Sequence, residues 1–247
     1  MALDLIGIDG WSDKVRRYSG FSSTIVDSFT ISGIGRGVAS DGTDIFCWRY
    51  SGGIEKIIRT SGFSSTIKDS FVISTTPNSL DWFDGNLYRH TGGTIKKHSG
   101  FSSTITDSIT PAGPEGVWFD EDGNLYTARI GGEKPQWDDG RIYKCSGFSA
   151  VVLDSFDLPG PGTSIIKGTN AQGGLVLDDD GNVIACTDIE NTIGGDGADK
   201  YYKFSGFSST VLDSFTITDV TGIADITRYL ERNLVVAKGY SFGVTFG

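Results

Sequence analysis

The sequence predicts an all-β fold assembled from five similar four-stranded units, and three observations predict it. The first is a block, SGFSSTIVDSFTI, that begins at Ser19 and returns as SGFSSTIKDSFVI at Ser61, SGFSSTITDSIT at Ser99, SGFSAVVLDSFDL at Ser146 and SGFSSTVLDSFTI at Ser205. The second is composition: 35 glycines in 247 residues, 12% aromatic residues and a single methionine suit short strands and tight turns better than long helices. The third is a strand-loop-strand pattern upstream of the blocks, as in NSLDWFDGNLYRH, EGVWFDEDGNLYTA and GGLVLDDDGNVIAC. There Asp84-Gly85, Asp122-Gly123 and Asp180-Gly181 offer the positive φ that a tight hairpin needs. The blocks recur at spacings of 42, 38, 47 and 59 residues, the length of one blade of a ring. The expected architecture is therefore a five-bladed β-propeller of four-stranded blades, in one domain spanning 1–247 with blocks at 19–31, 61–73, 99–110, 146–158 and 205–217.

Within each unit we label the strands A to D. Strand A is expected near Val38, Leu80, Val117, Leu175 and Ile223, and strand B follows each A–B turn. The stretches KVRRY, KIIRT, TIKKH, RIYKC and KYYKF supply strand C, and the second half of each block supplies strand D. The chain begins with a C and a D, and it ends with TGIADI and NLVVAKG, which read as A and B. The two termini are thus expected to complete one blade, because an unpaired hairpin would leave a long open edge. DLIGIDG at the start also fits a B slot, and SFGVTFG at the end is strand-like, so a six-bladed ring is the alternative.

The blocks carry charge in register. Arg17, Arg59, Lys97, Lys144 and Lys203 each lie two residues before the repeated serine, and Asp27, Asp69, Asp107, Asp154 and Asp213 lie ten residues further on. A C–D hairpin that turns through GFSST sets each cation opposite its carboxylate, which predicts five structural ion pairs. The alternative, a cationic collar for a polyanion, is opposed by the carboxylate in every copy. Phe21, Phe63, Phe101, Phe148 and Phe207 sit in the turns, where an apolar ring is expected to fold back as a staple between blades; the alternative is a ring of sugar-stacking platforms.

Catalytic and metal chemistry is sparsely provided. Net charge is −10, which argues against wrapping nucleic acid or lying on an anionic membrane. No stretch has a signal-peptide pattern or the length of a membrane span. Cys47, Cys145 and Cys186 are expected as buried thiols, with no spacing that signals zinc. The two histidines, His90 and His98, fall in the B and C strands of one blade, away from the axis. The runs Asp120-Glu-Asp122-Gly-Asn124 and Asp178-Asp-Asp180-Gly-Asn182 resemble the start of a calcium loop, but Val183 stands where such a loop needs glycine, so hairpin turns are expected. No metal and no cofactor is expected.

The repeats resemble the NHL and six-bladed lactonase-like propellers in layout. The SGFSST…DSF block is similar to a repeat of uncharacterised phage, viral and bacterial proteins. The lactonase resemblance implies a divalent metal held at the channel mouth by Glu, Asn and Asp; here only Asp81 and Asp225 occupy A-strand positions, without the matching set. The phage resemblance implies a virion or extracellular surface component.

Length variation marks one face. A–B and GFSST turns stay short, whereas 130–140, 159–173 and 187–200 are extended and all belong to B–C or D–A connections, which open on the same side. They carry Trp137, Glu133, Asp138, Asp139, Asp188, Glu190, Asp196 and Asp199, the candidate ligand-binding residues. The expected function is a non-enzymatic recognition or structural module of an assembly such as a fibre, spike or decoration protein, binding other structural proteins, a receptor or a glycan. A lectin-like propeller and a lactonase-like hydrolase are the alternatives.

Overall fold

The computed structural model describes residues 4–9, 13–113, 115–129, 140–158, 174–188, 199–217 and 223–229. They form five four-stranded antiparallel sheets, the blades of a five-bladed β-propeller. Blade I combines β20 (Ile223–Tyr229), β1 (Asp4–Asp9), β2 (Lys14–Tyr18) and β3 (Ile25–Thr30). Blade II is β4 (Ile34–Ser40), β5 (Ile45–Ser51), β6 (Ile54–Thr60) and β7 (Ile67–Val72). Blade III is β8 (Ser79–Phe83), β9 (Asn86–Thr91), β10 (Thr94–His98) and β11 (Ile105–Ile109). Blade IV is β12 (Glu115–Phe119), β13 (Leu125–Arg129), β14 (Arg141–Cys145) and β15 (Val152–Asp157). Blade V is β16 (Leu175–Leu177), β17 (Val183–Asp188), β18 (Asp199–Phe204) and β19 (Val211–Ile217).

The termini close the ring as expected, with one change of partner. β20 pairs β1 antiparallel from Asp4↔Tyr229 to Ile8↔Asp225, so the B slot of blade I is filled by DLIGID and not by NLVVAKG. The short link from β1 to β2 lets the same strand also pair Leu5↔Tyr18 through Ile8↔Val15, which satisfies both of its edges. NLVVAKG and SFGVTFG lie outside the described residues. The innermost strands touch in a closed cycle, β20 to β4 to β8 to β12 to β16 and back, and five sheets complete it.

The core lies between blades, since both faces of a blade must be covered. Ile6, Ile8, Val15, Val38, Ile45 and Cys47 fill the seam between blades I and II. Ala39, Phe46, Trp48, Ile57, Leu80 and Leu87 fill the next. Tyr88, Ile95, Val117, Phe119, Leu125 and Cys145 fill the third, and one larger cluster from Leu5 to Phe204 joins blades IV, V and I. Cys47 and Cys145 are buried free thiols, as expected; the side chain of Cys186 is not among those described. At the A–B turn of blade III, Asp84 and Gly85 both take positive φ, 46° and 72°, and close the two-residue hairpin read from the sequence. In the longer turns of blades IV and V only the glycines do so, at 80° for Gly123 and 77° for Gly181.

Candidate functional site

The repeated hairpin is one geometry built five times. In blade I the Ser19 N–H donates to the Thr24 carbonyl at 2.9 Å, the Ser22 hydroxyl donates to the Ser19 carbonyl at 2.7 Å, and the Thr24 N–H donates to Ser22 Oγ at 3.2 Å. The same three bonds recur in the other four copies. Gly20 takes φ 59° where the chain reverses, which is why glycine holds the second position of every block.

The turn phenylalanines are staples, as the sequence predicts. Each packs against the preceding blade, and four of the five meet its strand-D aromatic edge to face. The pairs are Phe63 with Phe29 at 4.9 Å, Phe101 with Phe71 at 5.0 Å, Phe207 with Phe156 at 4.9 Å and Phe21 with Phe215 at 4.8 Å. In the remaining seam Ile109 replaces the strand-D phenylalanine, and Phe148 meets Tyr88 at 5.2 Å instead. The Phe21–Phe215 pair spans the junction that the termini close.

The register of strands C and D sets Arg17 opposite Asp27, Arg59 opposite Asp69, Lys97 opposite Asp107, Lys144 opposite Asp154 and Lys203 opposite Asp213. The ionic contacts run elsewhere, and this differs from the expected ion pairs. Arg17 Nε lies 3.7 Å from Asp4, Arg59 Nε 2.7 Å from Asp44, Lys144 Nζ 3.6 Å from Asp120 and Lys203 Nζ 2.5 Å from Asp178. Lys97 sits over the Tyr88 ring, 5.8 Å from its centroid. The reason is local. Strand D carries a bulge just before each aspartate, and the aspartate turns its Oδ1 onto the N–H of the next serine at 2.7–2.8 Å. This covers a donor of the outermost strand, which has no further strand to pair with.

Two of these carboxylates, Asp4 and Asp44, belong to a position the sequence reading missed, whereas Asp120 and Asp178 open the A–B turns of blades IV and V. Asp4, Asp44, Asn86, Asn124 and Asn182 each stand immediately before the first apolar residue of strand B. Four of them accept the N–H of the repeated glycine: Gly20 on Asp4 at 3.2 Å, Gly62 on Asp44 at 3.1 Å, Gly100 on Asn86 at 3.4 Å and Gly206 on Asn182 at 3.0 Å. The signal was available as an Asp or Asn preceding Leu, Ile or Val once per unit. Burial pushes the Asp44 carboxyl upward, but hydrogen bonds from Lys68, Gly62 and Arg59 outweigh it and hold it below the ordinary value. Asp178 is likewise held down, against burial, by Lys203 and Asn182.

The calcium-like runs are turns in which the first aspartate is consumed internally. Asp120 accepts the Asn124 N–H at 2.7 Å, Asn124 Nδ2 at 2.8 Å and the Tyr126 hydroxyl at 3.0 Å; Asp178 accepts the Asn182 N–H at 2.8 Å. Among the described residues no group of three His, Cys, Asp or Glu side chains is placed to hold a metal ion. Asp81 accepts the Phe119 N–H of the next blade at 2.8 Å and so links two A strands; Asp225 is described for its backbone pairing alone. Both histidines are fully buried. His98 Nε2 accepts Arg89 Nε–H at 2.9 Å, which leaves Nδ1 to donate to the Ser102 carbonyl at 2.8 Å. Burial pushes His90 down to about 4, and burial together with the Arg89 charge does the same to His98.

Of the candidate ligand-binding residues, Trp137, Glu133, Asp138, Asp139, Glu190 and Asp196 lie outside the described residues. The necks of their loops are described. Arg129 pairs Arg141 where the blade IV loop leaves the sheet, and Asp188 pairs Asp199 at the corresponding point of blade V. Strand direction places both necks, and the end of β15 between them, on one rim of the ring.

No protein family model matches the chain, and no curated protein does. Among solved structures, a protein of unknown function from Bacteroides caccae superposes with a TM-score of 0.58 at 11% identity, covering 93% of this chain and 99% of that one. A chain of the nidogen/laminin complex does so with a TM-score of 0.53 at 14% identity, again covering 93% and 99%. At such identities the likeness is one of fold. No helix among the described residues is long and apolar enough to cross a membrane.

Proposed function

We propose that the chain is a non-enzymatic recognition module, a propeller component of a virion or surface assembly that holds a structural protein or receptor against one face of the ring. The observation that carries this reading is the grouping of the three extended connections. They leave one rim from two adjacent blades and the junction between them, at necks Arg129/Arg141 and Asp188/Asp199, on a ring whose other turns are short and alike. A rigid scaffold with variable loops gathered at one place is a common way to build a specific contact. The partner docks with Trp137 as aromatic anchor and the carboxylates Glu133, Asp138, Asp139, Asp188, Glu190, Asp196 and Asp199 around it.

The test is affinity capture from an extract of the source particle or cell, using the native chain and a variant with Trp137→Ala and 189–198 replaced by the two-glycine turn of blade III. A prey captured by the native chain and lost by the variant, with an unchanged melting curve, supports the reading. A prey retained by the variant, or no prey at all, overturns it.

A further inference from the structure

The blocks are more alike than the buried strand-B positions beside them. The strand-B residue paired with each block cation is buried, yet it is Ile6, Phe46, Tyr88, Tyr126 and Ile184 in turn. Recent duplication would have left those positions as similar as the blocks. Instead the core has diverged and the hairpin has not. Its exposed aspartate and the serine that follows are the same in all five copies, and the half-buried turn ring is phenylalanine in all five. A staple needs an apolar side chain, and the core shows that these blades exchange apolar side chains freely.

Each seam repeats a turn phenylalanine and a strand-D aspartate, while the second aromatic is replaced by Ile109 at one seam and the cation lies over a strand-B ring in blades II, III and IV. At the junction of blades I and II, Asp27 and Phe29 share one face of strand D with Arg17, whose guanidinium lies 5.6 Å from the centroid of Phe63 in the neighbouring turn. Asp27 Oδ1 is engaged by the Ser28 N–H, and Oδ2 has no protein partner among the described residues. The cation is already drawn towards the inner aspartate, so a seam such as this one, with Arg17, Asp4 and Asp27, carries one excess negative charge. That disfavours an anionic ligand. A partly exposed aromatic ring, a carboxylate oxygen with accepting capacity and adjacent hydroxyls suit a ligand with an apolar face and several hydroxyl donors.

We propose that each blade junction on the GFSST side binds one unit of an uncharged glycan, which makes the ring a carbohydrate binder with five similar sites. The sugar's apolar face lies on the turn phenylalanine, and its hydroxyls donate to the free oxygen of the strand-D aspartate. This surface is opposite the extended connections and independent of them, and repetition of one weak site raises the apparent affinity for a polymeric ligand.

The experiment titrates the full chain with a panel of methyl glycosides of glucose, galactose, mannose and N-acetylglucosamine, with sodium galacturonate as the anionic comparison. Binding is read by saturation-transfer NMR and counted by native mass spectrometry. The expected result is weak binding of at least one neutral glycoside, a count that approaches five, and a fall to four in Asp69→Ala and in Phe101→Leu, which keeps an apolar staple without the ring. Trp137→Ala leaves the count unchanged. Silence from every neutral glycoside at tens of millimolar, preference for galacturonate, or a single site lost with Trp137→Ala overturns the proposal.

Discussion

Replacing Asp44 tests most directly which carboxylate the repeated cations serve. Its side chain is 2% exposed and accepts Arg59 Nε at 2.7 Å, Lys68 Nζ at 2.8 Å and the Gly62 N–H at 3.1 Å. Hydrogen bonds to a charged group contribute about 1.5–3 kcal/mol each, and three such bonds are not additive. Arg59 is one-third exposed and Lys68 more so, and Arg59 also has Asp41 at 3.8 Å, so both cations recover part of their solvation when Asp44 is lost. Asp44→Ala is therefore expected to cost about 3 kcal/mol, at the low end for breaking a buried ion pair. Asp44→Asn keeps an acceptor for Gly62 and should cost about half as much. Asp69 is exposed and in register with Arg59, but its Oδ1 serves the Ser70 N–H, so Asp69→Ala should cost under about 1 kcal/mol. Urea unfolding of the single variants, together with two double-mutant cycles, measures this. Arg59→Leu should couple to Asp44→Ala by about 1–2 kcal/mol and to Asp69→Ala by almost nothing. Stronger coupling to Asp69, or an Asp44→Ala cost no greater than that of Asp69→Ala, would show that the cation serves the outer carboxylate and refute the reasoning.

Two further outcomes follow from closure and from the buried histidines. Ending the chain at Val220 removes β20, exposes one edge of β1 and opens the ring, so the truncated protein should lose its cooperative melting transition and aggregate; an unchanged melting temperature would rule out closure by that strand. His90 and His98 have folded pKa values near 4, below the ordinary 6.5, so the unfolded chain binds more protons between those values. Stability is then complete above about pH 6.5 and falls as pH drops towards 4, by at most about 3 kcal/mol per histidine, and His98→Gln should flatten part of that slope. A stability flat across this window in the native chain would contradict the buried neutral state of both rings.

Much of the architecture was legible in one dimension because a propeller repeats its physics with its sequence. The five blocks pointed to five blades with six as the alternative, the strand-loop-strand pattern with its Asp-Gly turns pointed to strands A and B, and the constant interval from cation to aspartate pointed to a C–D register that the backbone reproduces at all five blades. The staple role of the turn phenylalanines was legible for a similar reason, since an apolar ring in a turn needs a neighbour to cover it.

Register, however, specifies which backbones oppose each other and not where a flexible side chain finds its best partner. Arg59 faces Asp69 across the ladder yet bonds Asp44, which lies 15 residues earlier and is nearly inaccessible to water. The choice depends on two tertiary facts that no local pattern carries. The bulge in strand D turns the outer carboxylate onto its own backbone, and the A–B turn brings a buried acceptor under the hairpin, where a charge interacts more strongly than it does in water. Closure was settled in the same way. Two segments fitted the B slot of blade I on sequence, and DLIGID occupies it, pairing with β2 through a short connection and with β20 on its other edge.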